Sequence, residues 1–205
     1  MGIYERQVVP RFINVFMGTK GFAKLRRRTV GALEGEVLEV GFGSGLNVPH
    51  YPATVTKVYA VDPSEVGRRL AAKRVASSPI PIESVGLDGE HLPLPDDCVD
   101  AALMTWTLCT IPRPGQALRE IRRVLRPGGR LHFIEHGHAP DPKVQRWQRR
   151  LNPVQRRIAG GCHLDRRIDD LIADAGFEID QLKTFYVAGP KSMSYMYAGQ
   201  AVSPD

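Results

Sequence analysis

The stretch Val37-Leu-Glu-Val-Gly41-Phe-Gly-Ser-Gly45 decides the fold of this chain. A short apolar run is broken at once by three glycines within five residues, which is typical of a buried strand that ends in a tight turn. Glycine has no Cβ atom, so the backbone can turn sharply and a ligand can approach it closely. A dinucleotide fingerprint would need a glycine at position 46, where Leu46 stands. We therefore predict a ligand-binding turn at Gly41, Gly43, Ser44 and Gly45, and these glycines alone do not identify the ligand.

Strands and helices alternate after this stretch. Strand patterns at 57–61, 82–85, 100–104 and 130–134 are interspersed with helical patterns at 66–75 and 116–125 and a turn at 126–129. Such alternation indicates parallel βαβ units in a sheet that helices cover on both faces. Two strand-like segments at 177–187 and 192–201 have no helix between them, so they must pair antiparallel. The prediction is an α/β fold: a doubly wound, mainly parallel sheet with an antiparallel C-terminal strand pair.

The flanking segments are helical. Residues 1–30 carry apolar side chains at helical spacing, and residues 143–157 and 165–175 show similar patterns. The length of 205 residues is that of one domain, and no internal repeat or long linker divides it. We predict a single domain over residues 1–205, made of an N-terminal helical cap (1–35), a ligand-binding core (36–140), a basic helical lid (141–176) and a terminal strand pair (177–205).

Two acidic residues lie near the predicted turn. Asp62 ends the next strand, 17 residues after Gly45, where an acid can accept both hydroxyls of a ribose. Glu39 lies inside the first strand, two residues before Gly41. A carboxylate beneath a pyrophosphate would be repelled, so Glu39 argues against NAD. It favours a cationic ligand, such as a sulfonium that carries an ammonium group.

Four segments in order resemble one family. Residues 37–45, 58–64, 86–94 and 122–130 are similar to the first, ribose-binding, adenine-loop and late motifs of the class I S-adenosylmethionine-dependent methyltransferases. The resemblance runs from about residue 36 to residue 140, and more loosely to the C-terminus. It implies a Rossmann-like methyltransferase fold, S-adenosylmethionine as the cofactor, S-adenosylhomocysteine as its product, and no metal.

The resemblance also assigns roles to individual residues. The glycine turn would cradle the methionine portion, Asp62 the ribose, and Asp88 with Gly89 the adenine. Thr105 and Trp106 would border the transferred methyl group. Asn47 and Tyr51 fall where related enzymes often contact the cofactor, and a packing role stays open for both. The implied cofactor residues are Glu39, Gly41, Gly43, Ser44, Gly45, Asn47, Asp62, Pro63, Asp88, Gly89, Thr105 and Trp106.

The sequence lacks several motifs that identify particular classes of methyl acceptor. No Asn/Asp-Pro-Pro-Tyr and no Pro-Cys pair occupies 105–108, which disfavours methylation of nucleic acid bases. No acidic cluster resembles the magnesium site of catechol-type enzymes. Direct displacement from a sulfonium needs mainly positioning, and a base is useful only where the acceptor must lose a proton. These absences favour a small, largely apolar acceptor.

A second resemblance, in the C-terminal half of the chain, suggests a class of methyl acceptor. Residues 133–137 and 160–166 are similar to the membrane-associated thiol methyltransferases of the methyltransferase-like group and to their bacterial relatives; the matched positions are Glu135, His136, Gly161, Cys162, Leu164 and Arg166. Those animal enzymes carry an apolar membrane anchor that this N-terminus does not show, which leaves the thiol acceptor and membrane attachment open. Three alternatives also stay open: N-methylation of a phospholipid headgroup, quinone-type C- or O-methylation, and S-adenosylmethionine binding without turnover.

Four further side chains receive predictions. His136 follows a strand and is the candidate catalytic base, although a buried histidine bonded to a carbonyl remains an alternative. Asp165 is predicted to cap the helix that follows it. Cys109 matches no nucleophile motif, so we predict a packed side chain. Cys162 has no neighbouring motif that would favour a thiol sensor.

The net charge of +6 is unevenly distributed. Residues 1–30 and 143–157 carry +6 each, and the rest of the chain carries −6. Residues 143–157 are compatible with a solvated helix face, a substrate lid or contact with anionic lipid, and nucleic acid is disfavoured for want of a stacking motif. Residues 1–30 are expected to fold over the cofactor, and contact with a membrane surface stays open for them. No membrane-spanning run, secretory leader or disulfide framework is evident, so we predict a cytoplasmic protein with a small-molecule substrate. Peripheral contact with an anionic membrane stays open, and nothing indicates the oligomeric state.

Overall fold

The structure, a computed structural model, describes residues 8–204. Its helices are α1 (Val9–Met17), α2 (Lys20–Val30), α3 (Glu65–Ala76), α4 (Pro114–Val124), α5 (Pro142–Ile158) and α6 (Ile168–Asp174). Its strands are β1 (Gly35–Val40), β2 (Val55–Val61), β3 (Ile82–Gly86), β4 (Val99–Thr105), β5 (Leu125–His136), β6 (Glu178–Tyr186) and β7 (Tyr195–Val202). Short 3₁₀ turns occur at Val48–His50 and Lys191–Met193.

The strands form one seven-stranded sheet in the order β3-β2-β1-β4-β5-β7-β6. Strands β1 to β5 pair parallel, while β7 runs antiparallel to β5 and β6 antiparallel to β7. The predicted doubly wound, mainly parallel sheet and its antiparallel C-terminal pair are confirmed. The chain order reverses at β1, where β2 lies on one side and β4 on the other, and this is the place where ligands bind in such sheets.

Alternation along the central strands builds a core on both faces of the sheet. Val37 and Leu103 belong to one buried cluster, while the adjacent residues Leu38 and Met104 belong to the other. Since neighbouring side chains of a strand point to opposite faces, the two clusters cover the two sides. Leu118, Ile121 and Val124 of α4 join the larger cluster, and Val30 of α2 joins the smaller one.

Two local predictions were wrong. The turn at 126–129 does not precede β5 but interrupts its pairing with β4, which shifts register between Val99 and Ala101. Helix α6 begins at Ile168, and its N-cap Arg167 makes no side-chain capping bond. Asp165 does not cap it, because its Oδ1 accepts a hydrogen bond from Asn152 Nδ2 at 2.7 Å. The local sequence pattern predicted that the Asp165 carboxylate would bond to the start of α6, but in the fold it bonds to the side chain of Asn152 in α5.

Helices α1 and α2 form the predicted N-terminal helical cap within the described residues. Pro10 at the start of α1 and Gly18 at its end fit the usual helix punctuation. Helix α2 packs against β5 and reaches the carboxyl end of the sheet through Arg26. None of the helices within residues 8–204 combines the length and the apolarity needed to cross a membrane.

Candidate cofactor and active site

The predicted site residues gather at the carboxyl ends of β1, β2 and β4. Glu39 is the second-last residue of β1, and Thr105 is the last residue of β4. Asp62 follows β2, and Asn47 follows the glycine turn after β1. Because these strands are parallel neighbours, their ends meet at one edge of the sheet. Pro63 is exposed beside Asp62.

The glycines of the turn serve two different purposes. Gly41 has φ +84°, and a Cβ there would lie 1.9 Å from Thr107 Oγ1, so only glycine allows the turn to pack against the loop after β4. Gly43 has φ +55°, yet a Cβ there would meet no atom closer than 3.9 Å. Gly41 therefore closes the turn against the protein, while Gly43 leaves open space beside the backbone. The carbonyl oxygen of the buried Ser44 accepts a hydrogen bond from Arg74 Nη1 at 2.8 Å.

Asp62 joins the glycine turn to the start of α3. Its Oδ2 accepts from the Gly43 N–H at 2.7 Å, and its Oδ1 accepts from the Ser64 N–H at 2.8 Å. Burial raises the pKa of Asp62, and the two backbone N–H bonds oppose this rise. An ionised carboxylate accepts about four hydrogen bonds, so each oxygen keeps a free lone pair for a hydroxyl.

Glu39 is the centre of a buried hydrogen-bond network. Its oxygens accept bonds from the Tyr51 hydroxyl and from Asn47 Nδ2, the latter at 2.9 Å. Asn47 Nδ2 also lies 3.0 Å from Thr105 Oγ1, which links β1 to β4. Burial raises the pKa of Glu39 to about 7, against the hydrogen bonds of Tyr51 and Asn47 and the charge of Arg26. Both oxygens already have protein partners, so direct contact between Glu39 and a cationic ligand stays a prediction.

Arg26 is a site residue that sequence reasoning missed. Its Nη1 atom donates to Asn47 Oδ1 at 3.0 Å and to Thr105 Oγ1 at 3.2 Å, and only 6 % of the residue is exposed. The guanidinium also lies over the Trp106 ring, 4.7 Å from its centroid. A signal was present, because Phe22 and Val30 lie four residues to either side, so the arginine interrupts an apolar helix face.

Aromatic rings line the site beside Arg26. Phe22 meets Trp106 edge to face, with 5.3 Å between the ring centroids, and Phe16 meets Phe22 at 5.4 Å. Trp106 has φ +53°, and its Nε1 lies 3.4 Å from Met196 Sδ. The cap thus places an apolar aromatic wall at the end of β4.

The loop after β3 carries Asp88 and Gly89. Asp88 is exposed, and its hydrogen bond with His91 lowers the pKa of its carboxyl group. A Cβ on Gly89 would lie 2.6 Å from Val40 Cγ1, so this loop packs on the end of β1. The buried Glu90, which the sequence did not single out, accepts from Arg113 N–H at 2.9 Å and Arg113 Nε at 2.6 Å.

Glu135 organises the loop that follows β4. It is fully buried in β5, and its oxygens accept from the backbone N–H groups of Thr107, Leu108 and Cys109 at 2.9, 3.0 and 3.1 Å. Burial raises its pKa to about 7 while these bonds oppose the rise. Arg166 binds the same loop, donating to the carbonyl of Ile111 at 2.7 Å. The loop next to the predicted methyl position is thus held by the buried carboxyl group of Glu135 and the partly buried guanidinium of Arg166.

His136 is buried at the end of β5, 5 % exposed. Its Nδ1 lies 3.7 Å from Cys162 Sγ, and within the described part of the chain its Nε2 has no hydrogen-bond partner. Within residues 8–204, the His136 ring therefore makes no hydrogen bond to a carbonyl, in contrast to the alternative prediction. Its role as a base stays a prediction.

Comparisons with known proteins agree with this architecture. The family profile of a methyltransferase domain matches residues 38–133. Thiol S-methyltransferase TMT1A of Homo sapiens is 31 % identical over 194 residues, which are 93 % of this chain and 76 % of that protein. TMT1B of Rattus norvegicus is 36 % identical over 151 residues, or 72 % of this chain and 62 % of that one. This chain belongs to the class I S-adenosylmethionine-dependent methyltransferases.

One further named relative and one solved structure are also similar to this methyltransferase. The phosphatidylethanolamine N-methyltransferase of Cereibacter sphaeroides is 29 % identical over 159 residues, covering 75 % of this chain and 77 % of that protein. A solved structure from Bacillus halodurans C-125, described as a candidate methyltransferase, has a TM-score of 0.71 at 20 % identity and covers 90 % of this chain and 100 % of that one. The structural match supports the fold, and the named relatives differ in their acceptors.

The methyltransferase has features that fit S-adenosylmethionine. The open space beside Gly43 accommodates a ligand against the backbone, and the spare lone pairs of Asp62 suit ribose hydroxyls. The carboxyl group of Glu39 lies in a buried network with Asn47 and Thr105, into which the Arg26 guanidinium also donates. Among residues 8–204, no three His, Cys, Asp or Glu side chains are grouped closely enough to hold a metal ion.

Proposed function

We propose that this methyltransferase methylates the sulfur of a small, largely apolar thiol by direct displacement. The observation that carries the proposal is the similarity to thiol S-methyltransferases, one of which matches over 93 % of this chain. The site supports it in two ways. Phe22 and Trp106 offer an apolar wall at the end of β4, and His136 has a nitrogen without a partner among the described residues.

Different residues of the site are proposed to bind different parts of the cofactor. S-adenosylmethionine, when bound, supplies a methyl group on a positively charged sulfur and leaves as the neutral S-adenosylhomocysteine. We propose that the turn at Gly41, Gly43, Ser44 and Gly45 holds its methionine portion, Asp62 with Pro63 its ribose, and Asp88 with Gly89 its adenine. The ionised form of Glu39, hydrogen-bonded to Asn47, would offset its positive charge. Phe22 and Trp106 exclude water from the reacting region, where desolvation strengthens electrostatic interactions.

His136 is the proposed base for the acceptor. Even a thiol as acidic as that of cysteine, with a pKa of about 8.5, is mostly protonated at neutral pH, so a nearby base raises the thiolate fraction at the moment of transfer. His136 Nε2 would accept that proton, while the contact of Nδ1 with Cys162 fixes the ring orientation.

An acceptor panel tests this proposal. Purified protein is incubated with methyl-labelled S-adenosylmethionine and an alkyl thiol, a thiophenol, a phenol, a demethylated quinol or phosphatidylethanolamine vesicles. We expect the alkyl thiol and thiophenol to be methylated at least about tenfold faster than the others. His136→Gln should lower kcat for the alkyl thiol about 100-fold, which is a typical contribution of a positioned base. The more acidic thiophenol should lose much less.

The control for this experiment is Lys183→Gln, because Lys183 is an exposed side chain of β6, at the far edge of the sheet, and should leave both rates unchanged. Faster transfer to phosphatidylethanolamine than to thiols would favour headgroup N-methylation instead, and preference for the quinol would favour quinone-type methylation. Cofactor binding without transfer to any acceptor would support a non-catalytic binding protein. Equal losses for both thiols in His136→Gln would contradict a role as the base.

We also propose that this cytoplasmic enzyme contacts anionic membrane surfaces through helix α1. Phe12, Val15 and Phe16 are 66 %, 73 % and 53 % exposed, an unusual density of apolar surface on one short helix. The exposed Lys20, Lys24, Arg27 and Arg28 follow directly in α2. Apolar side chains flanked by basic ones are typical of helices that lie in a membrane interface.

Vesicle flotation tests the membrane contact. We expect the protein to float with vesicles that contain an anionic lipid at low salt, and to be released at high salt because screening weakens the attraction. Phe12→Ser combined with Val15→Ser should lower the bound fraction about tenfold, since it removes the buried apolar area. Leu182→Ser, an exposed apolar residue of β6, is the matched control. Equal binding of both variants would refute the assignment to α1.

A further inference from the structure

Two cysteines that are 53 residues apart in sequence lie together in the fold. Cys109 Sγ and Cys162 Sγ are 3.7 Å apart, within the range of a thiol hydrogen bond. Cys109 belongs to the loop after β4, and Cys162 to the connection between α5 and α6. The sequence predicted a packed side chain for Cys109 and disfavoured a thiol sensor at Cys162, because neither residue lies in a recognisable motif. The pair has no part in the proposed methyl transfer except for the contact of Cys162 with His136.

The backbones on either side of the pair are already joined. The N–H of His163 donates to the carbonyl of Cys109 at 2.8 Å. Such a bond places two chain segments about 5 Å apart, which is within the Cα separation that a disulfide spans. Glu135 and Arg166 both hydrogen-bond to the loop after β4. Closing the sulfurs from 3.7 Å to the bonded distance of about 2.05 Å therefore needs mainly side-chain rotation.

The two thiols differ in a way that assigns an order of reaction. Cys109 is 2 % exposed, whereas Cys162 is partly exposed. The hydrogen bond with Cys109, helped by His136, lowers the pKa of Cys162, and the same bond together with burial raises the pKa of Cys109. The thiolate is the reactive form, so Cys162 is the attacking sulfur and Cys109 the resolving one.

A cavity lies beside the two segments that carry this pair. It has a volume of about 430 Å³ and is lined by Thr110, Gly161 and His163, which are the neighbours of both cysteines in sequence. Arg156 and Arg157 line the same cavity, so it carries positive charge. A small anionic molecule would be favoured there over a neutral or cationic one.

We propose that Cys109 and Cys162 form a redox site that is oxidised to a disulfide by small anionic disulfides entering this cavity. The Cys162 thiolate attacks one sulfur of the small disulfide, whose S–S bond breaks and releases the first thiolate. Cys109 then loses its proton and attacks Cys162 in the mixed disulfide, which releases the second thiolate. The protons of the two protein thiols end on the two released thiols. The protein pair is oxidised by two electrons, and the small disulfide is reduced by two.

Oxidation would connect two parts of the site covalently. The new bond would tie the α5–α6 connection to the loop after β4 and take Cys162 Sγ away from His136 Nδ1. A cross-link between residues 109 and 162 restricts the unfolded chain, so the oxidised protein should be more stable. We expect its Tm to rise by about 5 °C and to return on reduction.

Thiol counting and peptide mass spectrometry test the redox site independently of any methyl acceptor. Cys98→Ser serves as the background, because it leaves only the two cysteines in question. After treatment with glutathione disulfide, we expect both thiols to become unavailable to a maleimide together, with a peptide linking Cys109 to Cys162. Adding Cys109→Ser should trap one glutathione on Cys162. Adding Cys162→Ser should leave Cys109 unmodified.

A charge variant tests the cavity. Arg156→Gln with Arg157→Gln should slow oxidation by glutathione disulfide about fivefold and leave oxidation by uncharged hydroxyethyl disulfide unchanged. Circular dichroism establishes that each variant is folded, and Cys109→Ala replaces Cys109→Ser if the serine unfolds the protein. The proposal is overturned if both thiols stay free at every ratio of glutathione disulfide to glutathione. It is equally overturned if Cys109 reacts as fast without Cys162 as Cys162 does without Cys109.

Discussion

Replacing Asp62 with alanine is expected to lower the affinity for S-adenosylmethionine at least about 100-fold. The carboxylate is the proposed acceptor of the ribose hydroxyls, and a hydrogen bond to a charged group contributes about 1.5–3 kcal/mol. Loss of two such bonds corresponds to about two orders of magnitude or more in Kd. The variant also removes the bonds to the Gly43 and Ser64 N–H groups, which join the glycine turn to α3. Isothermal titration calorimetry measures the change.

Two further variants sharpen the Asp62 experiment. Asp62→Asn keeps one acceptor oxygen, so it should lose less affinity than Asp62→Ala. Asp180→Ala removes an exposed carboxylate of the edge strand β6 that pairs with Arg130, away from the predicted cofactor loops, so it should bind the cofactor normally. Equal affinity in Asp62→Ala and Asp180→Ala would show that Asp62 does not contact the cofactor.

Glu135→Gln is expected to destabilise the protein by about 3 kcal/mol. The carboxylate accepts three backbone N–H groups in a fully buried position. An amide has one acceptor oxygen, and its NH₂ group would face an N–H donor of the loop. A buried donor that loses its partner costs about 1–3 kcal/mol, and hydrogen bonds to a charged acceptor are the strong ones. For a chain of this size the Tm should fall by about 6–12 °C.

Thermal and urea unfolding measure this effect. Glu83→Gln is the matched control, because Glu83 is a half-exposed carboxylate of β3 that pairs with Lys57 at 2.7 Å. An exposed ion pair contributes about 0–1 kcal/mol, so its loss should shift the midpoint little. Similar midpoints for Glu135→Gln and Glu83→Gln would mean that the loop after β4 does not depend on the buried carboxylate.

Local patterns in the sequence were sufficient for the fold. The run of apolar residues before Gly41 and the alternation of strands with helices predicted a parallel sheet, since each pattern depends on residues close in the chain. The pairing of β6 with β7 followed from the missing helix between them. The turn at 126–129 was recognised but misplaced, because whether a turn precedes or interrupts a strand depends on the pairing of β5 with β4.

The candidate site was only partly predictable. Glu39 and Asp62 stood out because their positions follow from the strand that carries each of them. Arg26, Glu90 and the contacts of Glu135 did not, because each acts on a segment more than 20 residues away in sequence. The prediction of Asp165 as a helix cap failed for a related reason, since its partner Asn152 lies 13 residues away in another helix.

The sequence by itself therefore determined the doubly wound fold, the glycine turn and the family of this methyltransferase. Hydrophobic periodicity and glycine placement are local properties that a linear chain displays directly. Only the tertiary structure decided how buried charges are compensated and that Cys109 lies 3.7 Å from Cys162. Burial makes an unpaired charge costly, so each buried carboxylate and guanidinium finds a partner wherever the fold brings one near, regardless of sequence separation.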